Sequence, residues 1–505
     1  MSNLVWIGND RWPNPRTPKE FMDGIIKFEK PKTNEEMAIS LYRWLHRILI
    51  DRDVTYEIIG NLLYHNEDVI KLLNIHCGHY CDGWGRLSES LWKTTGLPAK
   101  KVVLSREGAI HGHTETELGY KDNDGISRWH AMDIYHQVCV YTQNGERIAS
   151  FKDLMKNPSL VDTPVKSLEP FYIRDSHKTN KTNLKYLIMP VESITFTPLH
   201  MMDIPLRIGE EVTRYWDNFG KFYVSKDNKN VCADGWHDPY PLYNDDGSAK
   251  DTINEPYYRQ YLKECKEASC KLFGKRLKFY GNGEITYEPN ISKDVILDGV
   301  FEQPINIDIE DGMIFPSKEK TLSCLVFEVK SPYIMVETEL EIKFSKKDKY
   351  DVFEIFFSEG DPLNIRPLYA EEESNIESKV LKLKLGKDEF SDGKPSAYGR
   401  YKYLLRFQLL SIHNKKDTKI EYIKLKTVFQ QNMFVLPRLL PGKNNIKVNS
   451  SNNDRLKTSY SYSDHKVTDK LVEFETNKRN SGFTIETNAE NPCEVRCNYV
   501  KIKRS

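Results

Sequence analysis

Apolar side chains return every three or four positions between residues 34 and 48. In "NEEMAISLYRWLHRI", Met37, Leu41, Trp44, Leu45 and Ile48 share one face of a helix, and Asn34 with two acids behind it supplies an N-terminal cap. The next stretch, "VTYEIIGNLLYHNEDVIKLLNIH" (54–76), reads as one or two shorter helices. From about residue 100 the period shortens toward two, in "KKVVLS", "GHTETELGY", "SRWHAMDIY" and "QVCVYT". Turn signals at Asn123-Asp124-Gly125 and Gln143-Asn144-Gly145 separate these runs. Helices first and an antiparallel sheet after make residues 1–155 an α+β unit.

The middle, 156–294, is mixed and loop-rich. "RDSHKTNKTNLK" (174–185) and the breaker-laden stretch 225–256 read as loops, with "IPLRIGEEVTRYWDNFGKFYV" between them mostly strand. "EPYYRQYLKECKEASCKLFG" (255–274) reads as a helix. From about 295 the pattern is β. "KVLKLKLG" alternates strictly, as do parts of "VETELEIKFS", "YKYLLRFQLL" and "KIEYIKLKTVF". Such runs at short spacing predict a β-sandwich over 295–505, which the strands of 450–505 either finish or follow as a small unit of their own.

Composition narrows the function classes. Lysine plus arginine equal aspartate plus glutamate at 73 each, so no net field draws the chain to nucleic acid or an anionic membrane. No run approaches eighteen apolar residues, so no membrane span is expected. The N-terminus lacks the charged-then-apolar pattern of a signal peptide, which makes the cytoplasm the default location, or the exterior if a leader has been removed. Nine scattered cysteines form no disulfide framework and suit a reducing compartment.

The chemistry concentrates in "NIHCGHYCDGWGRLSESLWKTTGLPAKK" (74–101). Cys81 opens a helix-like stretch, where backbone N–H groups and the positive end of the dipole favour thiolate over thiol. A thiolate needs a base, and the base needs a group to orient it. His113 and Asp133 lie in strand-like segments on either side of the turn at 123–125, and adjacent antiparallel strands can bring them together facing the helix start.

With those residues in place, the chain resembles the transglutaminase-like cysteine superfamily, which includes transglutaminases, bacterial thiol proteases and peptide N-glycanases. That family has a cysteine opening a helix that ends in Gly-Ile-Pro-Ala-Arg, then His-x-x-x-Glu on a strand, then Trp-x-x-x-Asp on the next. Here Cys81 is followed fifteen residues on by Gly96-Leu97-Pro98-Ala99-Lys100, then His113 with Glu117, then Trp129 with Asp133. The match spans about residues 35–150. It implies a papain-like core in which Cys81 is the nucleophile, His113 its base and Asp133 the orienter, with no cofactor. The departures are Lys100 where arginine is usual, and Thr114-Glu115 where a small residue and tryptophan follow the histidine. They bear on substrate preference more than on chemistry.

These readings predict a thiol enzyme that hydrolyses an amide in a peptide or glycopeptide through an acyl-enzyme. Transfer to an amine, in place of hydrolysis, is open. The alternatives are a carbohydrate-directed protein that binds or processes a polysaccharide, and a non-catalytic structural module. Candidate substrate contacts are His79, Trp84, Glu117, Trp129, Trp236 and His237, the last two in a loop that could reach over the cleft. A zinc reading of His76, Cys77, His79 and Cys81, with His111 and His113 as an alternating pair and His130 and His136 flanking Asp133, is set aside. "HCGHYC" lacks the usual Cys-x-x-Cys spacing, and a metal would compete for Cys81 and His113.

Overall fold

The computed structural model describes residues 2–48, 50–51, 56–59, 62–65, 68–76, 78–79, 81–105, 112–134, 139–162, 165–166, 168, 187–190, 200–216, 223, 281–360, 363–432, 435–464, 468–490 and 492–505. The readings of 174–185, 225–256 and 255–274, and so Trp236 and His237, lie outside the described residues.

The chain starts with β1 (Asn3–Asn9), α1 (Pro18–Glu29) and α2 (Asn34–Ile48). Thr17 caps α1, its hydroxyl accepting from the Glu20 N–H, and Pro18 occupies the first turn, where its missing N–H costs nothing. The short strands β2 (Ile50–Asp51), β3 (Tyr56–Ile59) and β4 (Leu62–His65) come next. β3 and β4 correct the helical reading over 56–59 and 62–65. β3 and β4 pair as an antiparallel hairpin, as suits a run rich in isoleucine and tyrosine interrupted at Gly60-Asn61. Helix resumes at α3 (Val69–Lys71), capped by Asp68, and runs into a π-helical turn at Leu72–His76 and then β5 (Gly78–His79).

α4 (Cys81–Lys93) packs on β6 (Ala99–Ser105) and β7 (Gly112–Lys121), which with β8 (Ser127–Met132) and β9 (Leu187–Pro190) form a four-stranded antiparallel sheet in the order β8-β7-β6-β9. α5 (Phe151–Lys156) and α6 (Ser159–Asp162) follow β8. "QVCVYT" contributes only isolated bridging around Tyr141 among its described residues. Trp84, Leu87, Leu91 and Trp92 of α4 enter a core shared with Leu41, Trp44 and Leu45 of α2 and with Leu118 and Tyr120 of β7.

The remainder is β-rich, so that 47% of the described residues are strand and 19% helix. β10 (Ile204–Leu206), β11 (Glu210–Tyr215) and β12 (Gly281–Tyr287) precede α7 (Lys293–Gly299) and the hairpin β13 (Ile307–Glu310) and β14 (Met313–Pro316). β15 (Ser323–Lys346), β16 (Val352–Ser358), β17 (Ile365–Ala370), β18 (Ile376–Leu385), the short α8 (Lys387–Ser391), β19 (Arg400–Leu410) and β20 (Lys419–Gln431) build a second core around Phe327, Phe344, Phe353 and Phe407. The alternating runs noted in the sequence are β18, β19, β20 and the second half of β15. That strand pairs with β19 up to Lys330, shifts register, and continues against β18 and β20.

The last strands are β21 (Gly442–Ser450), β22 (Leu456–Ser463), β23 (Lys470–Thr476), β24 (Asn480–Thr487) and β25 (Arg496–Arg504). β25, β22 and β23 continue the same large sheet beyond β11, while β21 and β24 join β1 and β10 in a separate four-stranded sheet. Pairings therefore run across all three segments marked out along the sequence. The first strand, for instance, sits opposite residues 446–450.

Candidate functional site

Cys81 is the first residue of α4 and is partly exposed, while Cys139, Cys324 and Cys497 are buried. The start of α4 is held from two sides. Asp82 binds Arg86 at 2.6 Å and Lys101 of β6 at 2.8 Å. Burial alone would raise the Asp82 pKa, but these two cations outweigh it and hold the carboxyl below its ordinary range. Thr116 of β7 donates to the Gly85 carbonyl at 2.7 Å, which ties the strand to the first turn of the helix. At the other end, Gly96 takes a left-handed conformation (φ +82°) after the helix, and the Gly119 N–H donates to the Pro98 carbonyl at 2.7 Å. The Gly-Leu-Pro exit is thus fastened to the strand that carries His113.

Alternation along β7 and the register with β8 bring three side chains together. His113 Nε2 lies 2.9 Å from Asp133 Oδ2 and is hydrogen-bonded to it. The Cys81 thiol is near enough to the same imidazole to help raise its pKa. The third side chain is Glu115, fully buried, whose Oε1 sits 2.7 Å from the same Nε2. The N–H points at Asp133, so neither Glu115 oxygen has a hydrogen bond of good geometry.

Electrostatics follow from that crowding. Burial works to lower the His113 pKa, but the Asp133 and Glu115 carboxylates outweigh it and raise it well above the ordinary imidazole range. Burial and the neighbouring Asp133 push Glu115 well above the usual carboxylate range, with His113 opposing them. Ligand atoms of His113, Glu115 and Asp133 all lie within 4.8 Å of one another, so this trio could hold a metal ion. It shares His113 with the set weighed in the sequence and adds Glu115 and Asp133 as ligands. His76 is instead hydrogen-bonded to Glu57 at 2.8 Å. His130 stacks on Tyr120 at 3.6 Å and is bound by Asp122 at 2.8 Å. Cys77, His111, His136 and the side chain of His79 lie outside the described residues.

Comparison with known proteins gives little beyond this. No family model matches the chain, and no curated protein matches it. Solved structures overlap in part. The module described as "xylan-binding module CBM15" covers 28% of this chain and 95% of its own at 9% identity and a TM-score of 0.19. A Cellvibrio japonicus xylanase solved with xylopentaose covers 28% of each chain at 10% identity and 0.18. A tandem CBM22 domain from Paenibacillus barcinonensis covers 41% and 88% at 7% identity and 0.15. The overlaps are slight. At such scores they define neither a shared fold nor a shared activity.

Three of the remaining sequence candidates, Trp84, Glu117 and Trp129, have packing or ion-pair contacts within the fold. Trp84 is 2% exposed and belongs to the core beneath α4. Glu117 is buried, binding Lys100 at 2.8 Å and accepting from the Phe151 N–H at 2.8 Å. Trp129 lies under the Lys100 ammonium, 4.3 Å from the ring centroid. Lys100 thus spans Glu117 and Trp129 at the position where the family pattern has arginine. The residue missed as a site member is Glu115. Its signal was present, since His-x-Glu on a strand puts both side chains on one face.

A second group missed in the sequence steadies the approach to Cys81. Gln430 and Asn432, fully buried at the end of β20, reach the π-helical turn. Gln430 Nε2 donates to the Ile75 carbonyl at 3.0 Å, Asn432 Nδ2 to Leu73 at 2.8 Å, and the Asn432 N–H to Asn74 at 2.7 Å. π-Turns leave backbone groups to be satisfied from outside and recur at functional sites.

Proposed function

We propose that this protein is a thiol enzyme with a papain-like, transglutaminase-like core, acting on an amide bond with Cys81 as nucleophile, His113 as base and Asp133 as the orienting group. The observation that carries the reading is one imidazole hydrogen-bonded to a buried carboxylate, with the thiol that opens α4 near enough to raise its pKa. His113 takes the Cys81 proton, the thiolate adds to the amide carbonyl, and the imidazolium returns the proton to the departing amine. Water, deprotonated by His113, then cleaves the thioester. The Cys81 backbone N–H at the helix start is positioned to donate to the oxyanion. Peptide and glycopeptide amides are the substrate class proposed, with hydrolysis in preference to transfer.

The test is reactivity followed by turnover. Iodoacetamide near neutral pH is expected to modify Cys81 before any of the other eight cysteines, and His113→Ala to slow that reaction. Faster modification elsewhere, or no effect of His113→Ala, overturns the assignment.

A second reading is a carbohydrate-directed protein built on the same core and β-rich remainder. It is the alternative read from the sequence, and the overlaps with the xylan-binding module and the xylanase are too slight to carry it. Binding to xylan or another polysaccharide that survives Cys81→Ala, with no amide turnover, would favour it.

A further inference from the structure

Two buried carboxylates crowd one imidazole nitrogen, and only one of them meets hydrogen-bond geometry with it. Glu115 is 0% exposed and Asp133 2%. Two like charges buried together require a compensating positive charge, and a single imidazolium balances only one. The second can come from a proton or from a cation.

The donor set favours a cation of a particular kind. One imidazole nitrogen and two carboxylate oxygens converge from β7 and the end of β8, all three ligand atoms within 4.8 Å of one another. Borderline divalent ions, zinc above all, accept nitrogen and oxygen together at about 2.0–2.2 Å, and sites with three protein ligands keep a fourth position open. Magnesium and calcium prefer all-oxygen shells, which this trio does not offer. Both Glu115 oxygens lack a well-formed partner, as expected of a ligand side chain, and the α4–β7 packing already fixes the strand that bears it.

We propose that His113, Glu115 and Asp133 form a Zn²⁺ site, and that the bound metal silences Cys81. The second half rests on the thiol-enzyme reading; the first does not. A metal on Nε2 leaves the imidazole proton on Nδ1. The ring then has no lone pair to accept the Cys81 proton, so the nucleophile stays a neutral thiol. Cys81 is not a member of this ligand group.

The experiment uses the full-length protein, freed of metal with a chelator, and Zn²⁺ as the probe. Calorimetry should show an equivalent of zinc that is lost in Glu115→Gln and in Asp133→Asn but kept in Cys81→Ala. Zinc should slow iodoacetamide modification of Cys81 by about 10-fold or more, the scale on which metal-site changes act, and EDTA should restore it. Should Glu115→Gln fail to fold, Co²⁺ bound to the unaltered protein gives a second readout. Ligand-field bands without a thiolate-to-cobalt band are expected, and a strong thiolate band overturns the proposal. It is also overturned if native protein, Glu115→Gln and Asp133→Asn all bind the same amount of zinc, or none. Zinc binding at the trio with an unreactive Cys81 would sink the thiol reading and leave the metal site standing. A reactive Cys81 indifferent to zinc would do the reverse.

Discussion

At the scale of single residues, burial of charge decides most of what can be measured. Glu57 is buried beside His76 at 2.8 Å, and the Lys71 ammonium and the Tyr401 hydroxyl also meet it, both at 2.5 Å. Burial opposes its ionised form, but the His76 hydrogen bond and charge, with Lys71, hold its pKa down from 4.5 to about 2. A carboxylate with a depressed folded pKa contributes stability that is present above its ordinary pKa and lost as pH falls toward the folded value. That contribution is on the order of 3 kcal/mol, and it should disappear between about pH 5 and pH 2. Urea denaturation at neutral pH and at pH 3 should show the native protein losing more stability than Glu57→Gln. Equal losses would remove this network from the acid response. Gly119 is set by space and not by charge. A Cβ there would stand 2.8 Å from Pro98 Cγ and 3.1 Å from both the Pro98 carbonyl oxygen and the Trp129 ring. Gly119→Ala should cost about 1–3 kcal/mol and loosen the helix exit from β7, seen as a lower denaturation midpoint.

At the scale of elements, the candidate site depends on how α4 and β7 meet, and on what holds the turn before α4. The periodicity of α2 and the alternation of β6, β7 and β8 were legible in the sequence, because each depends on a local repeat of side-chain direction. The hairpin at 56–65 was not. Its apolar residues fit both periods over so short a span, and length decides between them poorly there. The π-turn was hidden for another reason: its carbonyls are satisfied by Gln430 and Asn432, more than 350 residues away. Asn432→Ala removes a buried donor and leaves the Leu73 carbonyl without it. Stability should fall by about 1–3 kcal/mol, and Cys81 alkylation should slow as its lead-in loosens. A stability loss with unchanged Cys81 reactivity would show that the anchor supports the fold and not the site.

At the scale of the whole molecule, the N-terminal region is woven into the remainder. β1 pairs with β21 on one side and β10 on the other, and Tyr401 of β19 closes the Glu57 network. A chain ending near residue 200 would leave β1 with two open edges and the π-turn without its amides, exposing backbone groups that need partners. Such a fragment should lack a cooperative thermal transition by near-UV circular dichroism. A sharp transition in it would mean that the first two hundred residues fold alone. None of the helices among the described residues is long and apolar enough to cross a membrane.

The sequence by itself determined the β-rich character of the second half and the spacing that points to Cys81, His113 and Asp133. Those features are short-range: a period of two or 3.6, a cap, a helix of fixed length between a cysteine and a Gly-Leu-Pro exit. Tertiary structure alone decided that Glu115 shares His113 with Asp133, that Trp84 and Glu117 are packing residues, and that Lys100 spans Glu117 and Trp129. It also decided that the first strand belongs beside residues 446–450. The physical reason is the same in each case. Charge balance and strand partnership depend on which distant segments meet, and a local pattern says which way a side chain points but not what it will find there.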